Sequence, residues 1–260
     1  MIKAIFFDID GTLLSFHTHR ISPGTIRAFE MLHRQGIRTF ISSGRPKVLI
    51  PDMPVSFDGY ITVNGGYCFL GDGSDDSSVV VNEPLDATDQ QRWLDYVEEH
   101  DIVTMLFSRH EMFANRISEA AAKLRDQLEF KMPPLISTEE MRAKRAYQFI
   151  AMIPARQDAE VLELLPHSRL PRWHPVFSDL IPSCNSKAKG IEAITARLGL
   201  QRDELMAFGD GGNDVEMLEY VGTGVAMGNA ADHVKAHADF VTTSVDDEGI
   251  LHALTTLKVI

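Results

Sequence analysis

Asp8 and Asp10 stand two residues apart at the end of a short apolar run, residues 2–7. The run reads as a buried strand, and Gly11 and Thr12 turn the chain out of it. Paired carboxylates at the end of a buried strand are costly unless something uses their charge. A divalent cation is the simplest partner, and hard carboxylate oxygens suit Mg2+. Alone, the pair could equally be a strand that ends in a polar turn, because short motifs match by chance. Further groups change that balance. Ser43-Gly44-Arg45 follows a second apolar run, Lys187 opens a helical pattern, and Asp210, Asn213 and Asp214 occupy a glycine-rich turn after a later run. Combined, they supply carboxylates for a metal, a hydroxyl, an amide and an ammonium. That inventory describes a phosphate site built around Mg2+, and the chemistry it supports is phosphoryl transfer.

Bringing these groups to one edge calls for an α/β fold. Ser22-Pro23 supplies an N-cap and a first-turn proline, Ile26, Phe29, Met31 and Leu32 mark an apolar face, and Gly36 ends the helix. Residues 37–41 form the next strand. Strand, helix and strand joined this closely make a βαβ unit with parallel neighbours, which sets Ser43 near Asp8. Residues 61–63 lead into a hairpin-type turn at Asn64-Gly65-Gly66, with returning strands at 67–70 and 79–81. From about residue 83 the pattern changes. Helices at 86–100, 118–128 and 158–165 alternate with mainly hairpin-connected strands at 103–107, 112–115, 146–153, 169–173 and 176–181. Strict alternation then resumes: helix 187–198 ended by Gly199, strand 205–208, helix 215–220, strand 224–227, helix 232–236, strand 240–242 and helix 250–257. The expected fold class is therefore α/β. A Rossmann-like parallel-sheet core spans residues 1–82 and 183–260, and an α+β cap spans 83–182. Open α/β sheets bind ligands at the carboxyl ends of their strands, the edge shared by Asp8, Asp10, Ser43, Lys187 and Asp210.

The chain has 260 residues, 44% hydrophobic and 24% charged, enough for one large domain or two modest ones. A net charge of -12 argues against nucleic acid or an anionic membrane as the main partner, because no broad face would neutralise phosphates. A small phosphorylated substrate stays compatible, since a metal and one or two cations match its charge locally. Cys68 and Cys184 are far apart and in no Cys-x-x-Cys pattern, as expected of reduced thiols. A strand from residue 2 leaves no room for a signal peptide, and no apolar run nears the ~18 residues of a membrane helix, so a cytoplasmic location is expected. Oligomeric state is not legible.

The order Asp8-Ile9-Asp10-Gly11-Thr12, Ser43-Gly44-Arg45, Lys187 and Gly209-Asp210-Gly211-Gly212-Asn213-Asp214 resembles the haloacid dehalogenase superfamily of phosphohydrolases. The position and α+β content of the insert resemble its Cof-type (class IIB) branch. The run from Phe208 to Asp214, with Gly224-Val225-Ala226-Met227-Gly228-Asn229-Ala230, is similar to the sugar-phosphate phosphatases of that branch. The motifs cover both core segments, while the insert matches in size and element order only. The resemblance implies a Mg2+-dependent phosphatase acting on small phosphorylated metabolites, sugar phosphates foremost, through an aspartyl-phosphate. Asp8 would be the nucleophile, ionised without a base. Asp10 would protonate the leaving alkoxide and then deprotonate water, its backbone carbonyl reaching the metal. Asp8, Asp10 and Asp210 would form the metal set, with Asp214 and Thr12 supporting it from behind. Ser43, Lys187 and Asn213 would hold the phosphoryl oxygens, Gly44 would permit close approach, and Arg45 would touch substrate or cap. The cap would act as a lid and carry specificity. Many relatives have threonine at the place of Ser43, and many have Lys-Gly where this chain has Lys187-Ala188-Lys189-Gly190. Lys187, twelve residues before Gly199, fits the helix register, with Lys189 as fallback.

A phosphomutase or phosphotransferase using the same Asp8 remains an alternative. A non-enzymatic relative would have lost Asp8, Asp10 or Lys187, and none is lost. A dehalogenase would not need the second aspartate, and a cation pump would carry threonine in place of Asp10 and membrane helices. Other polar clusters read as surface. His17-x-His19 offers too few ligands for a metal, and the acidic loop at 71–76 lacks EF-hand spacing and reads as a hairpin tip. Gly222-Thr223-Gly224 precedes a strand instead of following one, so it reads as a turn. Arg109, His110 and Asp179, all in the insert, are solvated groups or readers of substrate.

Overall fold

The computed structural model describes residues 1–119, 122–123, 133–172 and 175–260. Most of the helix expected at 118–128 lies outside the described residues, as do residues 173–174 of the expected strand and turn. In chain order the strands are β1 Ala4–Phe7, β2 Arg38–Ser42, β3 Gly59–Thr62, β4 Tyr67–Leu70, β5 Val79–Asn82, β6 Thr104–Phe107, β7 Met112–Ala114, β8 Gln148–Ala151, β9 Ser168–Arg169, β10 Ser178–Pro182, β11 Leu205–Gly209, β12 Thr223–Ala226 and β13 Phe240–Val241. The chain divides into two units.

The first unit holds Met1–Gly44, Asp52–Val81 and Ser186–Ile260. Its sheet runs β13-β12-β11-β1-β2-β3-β4-β5. β1 lies parallel between β11 and β2, with Phe7 opposite Phe208 on one side and Ile41 on the other. Every residue of β1 is buried, as a strand covered on both faces requires. Side chains alternate between two apolar layers. Ala4 and Phe6 join Phe40, Ile61 and Ala207 beneath the helices Lys187–Leu198 and Val215–Tyr220, through Ile191, Ile194, Met217 and Leu218. Ile5 and Phe7 join Met206 and Phe208 beneath Pro23–Arg34 and Gly249–Thr256, through Phe29, Leu32, Ile250 and Leu254. Continued one residue past β1, the alternation turns Asp8 to the face that carries the Lys187 helix.

The helix signals expected at Ser22 and Gly199 are present, and Ser186 adds a further cap. The Ser22 side chain accepts from the Thr25 amide, Ser186 caps Lys187–Leu198 by accepting from Lys189, and Gly199 ends that helix in the left-handed region at φ 68°. The hairpin at Asn64 forms, but its loop begins one residue early. Val63 and Asn64 both take positive φ, 45° and 53°, and β3 and β4 close with Thr62 opposite Tyr67.

The second unit holds Arg45–Pro51 and Asn82–Asn185. Residues 45–51, 82 and 183–185, which the sequence reading placed in the core segments, group here. Its sheet, β7-β6-β8-β10-β9, pairs antiparallel throughout. The helices Ala87–Glu99, Thr138–Arg142 and Asp158–Leu164 share one apolar cluster with the sheet, built on Trp93, Leu94, Val97, Leu106, Met141, Phe149, Val161 and Leu180. The helix Thr138–Arg142 was not anticipated. Its Ser137–Glu140 capping box is a legible Ser-x-x-Glu signature that precedes too short an apolar pattern. Together the two sheets make the expected α/β architecture with a separate α+β unit. No helix among the described residues is long and apolar enough to cross a membrane.

The helix Lys187–Leu198 rests on the sheet through Gly190, where a Cβ would lie 2.6 Å from Ile61 Cγ2 and 3.1 Å from Cys68 Sγ. Gly190→Val is therefore expected to overpack this seam and lower unfolding stability by about 1–3 kcal/mol. Urea denaturation of the variant against the parent measures it.

Candidate active site

Lys187 begins its helix fully buried, an unfavourable place for an ammonium both by burial and by the helix dipole. Its neighbours answer both costs. Nζ donates to Asp8 Oδ1 at 2.6 Å and to Asp214 Oδ1 at 2.5 Å. The helix start is held close to the β3–β4 loop: a Cβ on Gly65, which sits at φ 90°, would lie 2.1 Å from the Ser186 carbonyl oxygen. Asp214 is wholly buried and fully used. Its Oδ2 accepts the backbone N–H groups of Asp210 and Gly211 at 2.9 and 2.8 Å, which closes the turn after β11 into a fixed shape.

That turn presents Asp210. Thr12 Oγ1 donates to Asp210 Oδ1 at 2.9 Å, and Asn229 Nδ2 donates to Oδ2 at 3.2 Å. Gly11, at φ 81°, permits the approach, since a Cβ there would stand 2.2 Å from Oδ2. Asp8, Asp210 and Asp214 each place one carboxylate oxygen within 4.8 Å of the others. All-oxygen donors without cysteine or histidine fit a hard divalent cation. The carboxylate of Asp10 is not in this group. Asp10 lies half-buried in the turn closed by Gly11 N–H to the Leu14 carbonyl at 2.8 Å.

Ser43, Asn64 and Asn213, from three separate loops, form a chain. The Asn64 backbone N–H donates to the Ser43 carbonyl at 3.1 Å, and at the side-chain amide Asn213 Nδ2 donates to Asn64 Oδ1 at 3.2 Å. A Cβ on Gly44 would meet Asn64 Nδ2 at 3.1 Å, so the glycine lets that amide in. Sequence reasoning saw Asn64 only as a turn former and Asn229 only as part of a similar run. Their polar ends become visible once β3 and β12 are placed. Other candidates separate. Lys189, the fallback, is solvent-facing and pairs with Glu192 at 2.7 Å. Arg45 belongs to the second unit and donates to the Leu49 carbonyl at 2.8 Å. His17 is exposed, 3.8 Å from Asp246.

Asp8 and Asp210 resist ionisation. Burial pushes Asp8 up to about 7; Lys187 pulls it down, but Asp214 and Asp10 add to the rise. Burial, with the charges of Asp8 and Asp214, pushes Asp210 up to about 8. Burial alone would lower Lys187, yet Asp214 and Asp8 hold it above its ordinary value. With its three carboxylates ionised the site would carry more negative charge than its one ammonium balances, and a cation would relieve that excess.

A profile of the haloacid dehalogenase-like hydrolases matches residues 5–254. The chain belongs to this family. Among relatives of this haloacid dehalogenase-like hydrolase, the putative phosphatase YkrA of Bacillus subtilis (strain 168) is 32% identical, covering 98% of this chain and 97% of that one. The 5-amino-6-(5-phospho-D-ribitylamino)uracil phosphatase YitU of the same organism is 29% identical, covering 96% and 95%. The solved structure of the HAD subclass IIB sugar phosphatase BT4131 superimposes with a TM-score of 0.91 at 37% identity, covering 99% and 100%.

Lys187→Met leaves Asp8 and Asp214 buried without a counter-charge and is expected to cost about 3–5 kcal/mol of stability, read by urea unfolding. The raised carboxylates also set a pH dependence. Their folded values, about 7 and 8, exceed the ordinary 3.8, so between those limits the folded state binds more protons than the unfolded one. Stability of the cation-free protein is therefore expected to fall as pH rises from about 4 to 8. A divalent cation competes with those protons, so the rise in Tm it produces should be larger at pH 8 than at pH 5.5, measured by calorimetry with and without the cation.

Proposed function

We propose that the protein is a Mg2+-dependent phosphatase of small phosphorylated metabolites, sugar phosphates foremost, working through an aspartyl-phosphate on Asp8. The observation that carries this reading is the buried Lys187 ammonium held between Asp8 and Asp214 beside Asp210. A general cation site has no use for a lysine among its ligands. A site that must hold a nucleophilic carboxylate still and accept a phosphate dianion needs one.

When bound, Mg2+ would offset the charge of the incoming phosphate at Asp8 and Asp210. Lys187 takes Asp8 Oδ1, which leaves Oδ2 to attack phosphorus as the bond to the leaving oxygen breaks. Asp10 gives its proton to the leaving alkoxide. It then takes one from the water that attacks the phosphoryl group, breaking the bond to Asp8 and releasing inorganic phosphate. Lys187, Ser43 and Asn213 donate to the phosphoryl oxygens as charge shifts, and Asp214 keeps Lys187 charged. Catalysis is assigned to residues 1–82 and 183–260, and substrate choice to 83–182. The sugar assignment is supported by the description of BT4131 as a sugar phosphatase and by the phosphoribityl compound named for YitU, both polyhydroxylated leaving groups.

Asp8→Asn is expected to lower phosphate release from p-nitrophenyl phosphate with MgCl2 by roughly a thousand-fold or more, with circular dichroism unchanged. EDTA should abolish turnover of the parent protein and MgCl2 restore it. More than a trace of turnover in the variant, or hydrolysis that ignores EDTA, would refute the reading. A screen of sugar phosphates without an acceptor tests hydrolysis against transfer.

A further inference from the structure

Asn229 has no part in the steps above, yet it touches Asp210. It lies in the turn after β12, and β12 runs parallel beside β11, so the topology delivers it to the edge where Asp210 follows β11. The turn is tied down on both sides. Met227 N–H donates to the Gly209 carbonyl, Ala230 N–H to the Met227 carbonyl and Gly228 N–H to the Thr243 carbonyl, each at 3.0 Å.

The side-chain amide has one workable orientation. Oδ1 accepts from the Val245 N–H at 2.9 Å, while Nδ2 donates to the Gly11 carbonyl at 2.9 Å and to Asp210 Oδ2 at 3.2 Å. A flipped amide would set its NH2 against the Val245 N–H and its oxygen against the Gly11 carbonyl. Two backbone groups therefore decide that the donor faces the carboxylate. Thr12 grips the other oxygen at 2.9 Å. Each carboxylate oxygen has two acceptor positions, so these neutral donors fix the plane of Asp210 and leave acceptor positions for a cation. Neutrality matters here. An ammonium at the same place would orient the carboxylate equally well but cancel the charge that attracts the cation.

Resting on the Mg2+ reading of the carboxylate cluster, we propose that Asn229 is a positioning residue for the cation site. It holds Asp210 in its ligating orientation and ties the turn that follows Asp8 and Asp10 to the turn that carries Asp210. One nitrogen makes both bonds, so the two turns are set relative to each other by a single side chain.

The test is titration of the full-length, cation-free protein with MgCl2 by calorimetry, alongside thermal unfolding without cation. Asn229→Ala should raise the Mg2+ dissociation constant by roughly 10–100-fold. The cation-free Tm should fall only slightly, because the variant unpairs the Val245 N–H but, Asn229 being exposed, opens no cavity. Asn229→Leu keeps the side-chain volume but has no donor for Asp210 and adds no charge, so its loss of affinity should be of the same size. This near-isosteric variant decides the matter if the alanine variant does not fold. Unchanged Mg2+ affinity in the variants overturns the proposal, as does a weakening matched by an equal loss of cation-free stability, which marks a structural role alone. Failure of the parent protein itself to bind Mg2+ overturns the cation reading, and the role of Asn229 with it.

Discussion

One buried ammonium organises the site. Lys187 stands between Asp8 and Asp214 without solvent, and none of the three groups tolerates that environment alone. Removing charges from water is costly, and the mutual attraction offsets it only when geometry is close and the remaining acceptors are filled. Asp214 meets that condition by accepting two backbone N–H groups with its second oxygen. The same bonds shape the turn that presents Asp210. Pairing the lysine and building the cation site are thus one structural act, and disturbing either disturbs both.

The electrostatics follow from this arrangement. Burial first, and then the excess of negative charge that three carboxylates around one ammonium bring once ionised, make Asp8 and Asp210 hold protons well above the usual carboxylate range. In a protein of net charge -12, a local excess of this kind repels a phosphate unless a cation intervenes. Neutral donors from Thr12 and Asn229 aim the carboxylate without reducing that excess. The Lys187 ammonium, by contrast, places charge between Asp8 and Asp214 and uses two of its three donors on them. Charged and neutral contacts therefore do different work within one site.

Much of this was legible in the order of residues. The alternation that buries Ala4 and Phe6 on one face and Ile5 and Phe7 on the other places Asp8 toward the helix of Lys187. Gly199 stops that helix, and its distance of twelve residues from Lys187 selects Lys187 over Lys189, which the structure shows paired with Glu192 at the surface. Local signals of this kind survive because they act over a few residues. The helix Thr138–Arg142 was missed despite its capping box, because one short turn of apolar residues has no readable period. Val63 at positive φ was missed because a β-branched residue there goes against local preference and is held by its surroundings.

By itself, then, the sequence determined the parallel sheet, the helices that flank it and the edge at which the charged residues emerge, since periodicity, caps and βαβ connections are local or topological. Tertiary structure alone decided which polar groups meet. It brought Asp214 rather than the Asp10 carboxylate into contact distance with Asp8 and Asp210, and drew Arg45 into the second unit. It also turned Asn64 and Asn229 from turn formers into side chains that hold other side chains. Hydrogen bonds of about 3 Å between residues far apart in the chain depend on the final placement of several strands at once, and no pattern within a single segment encodes that.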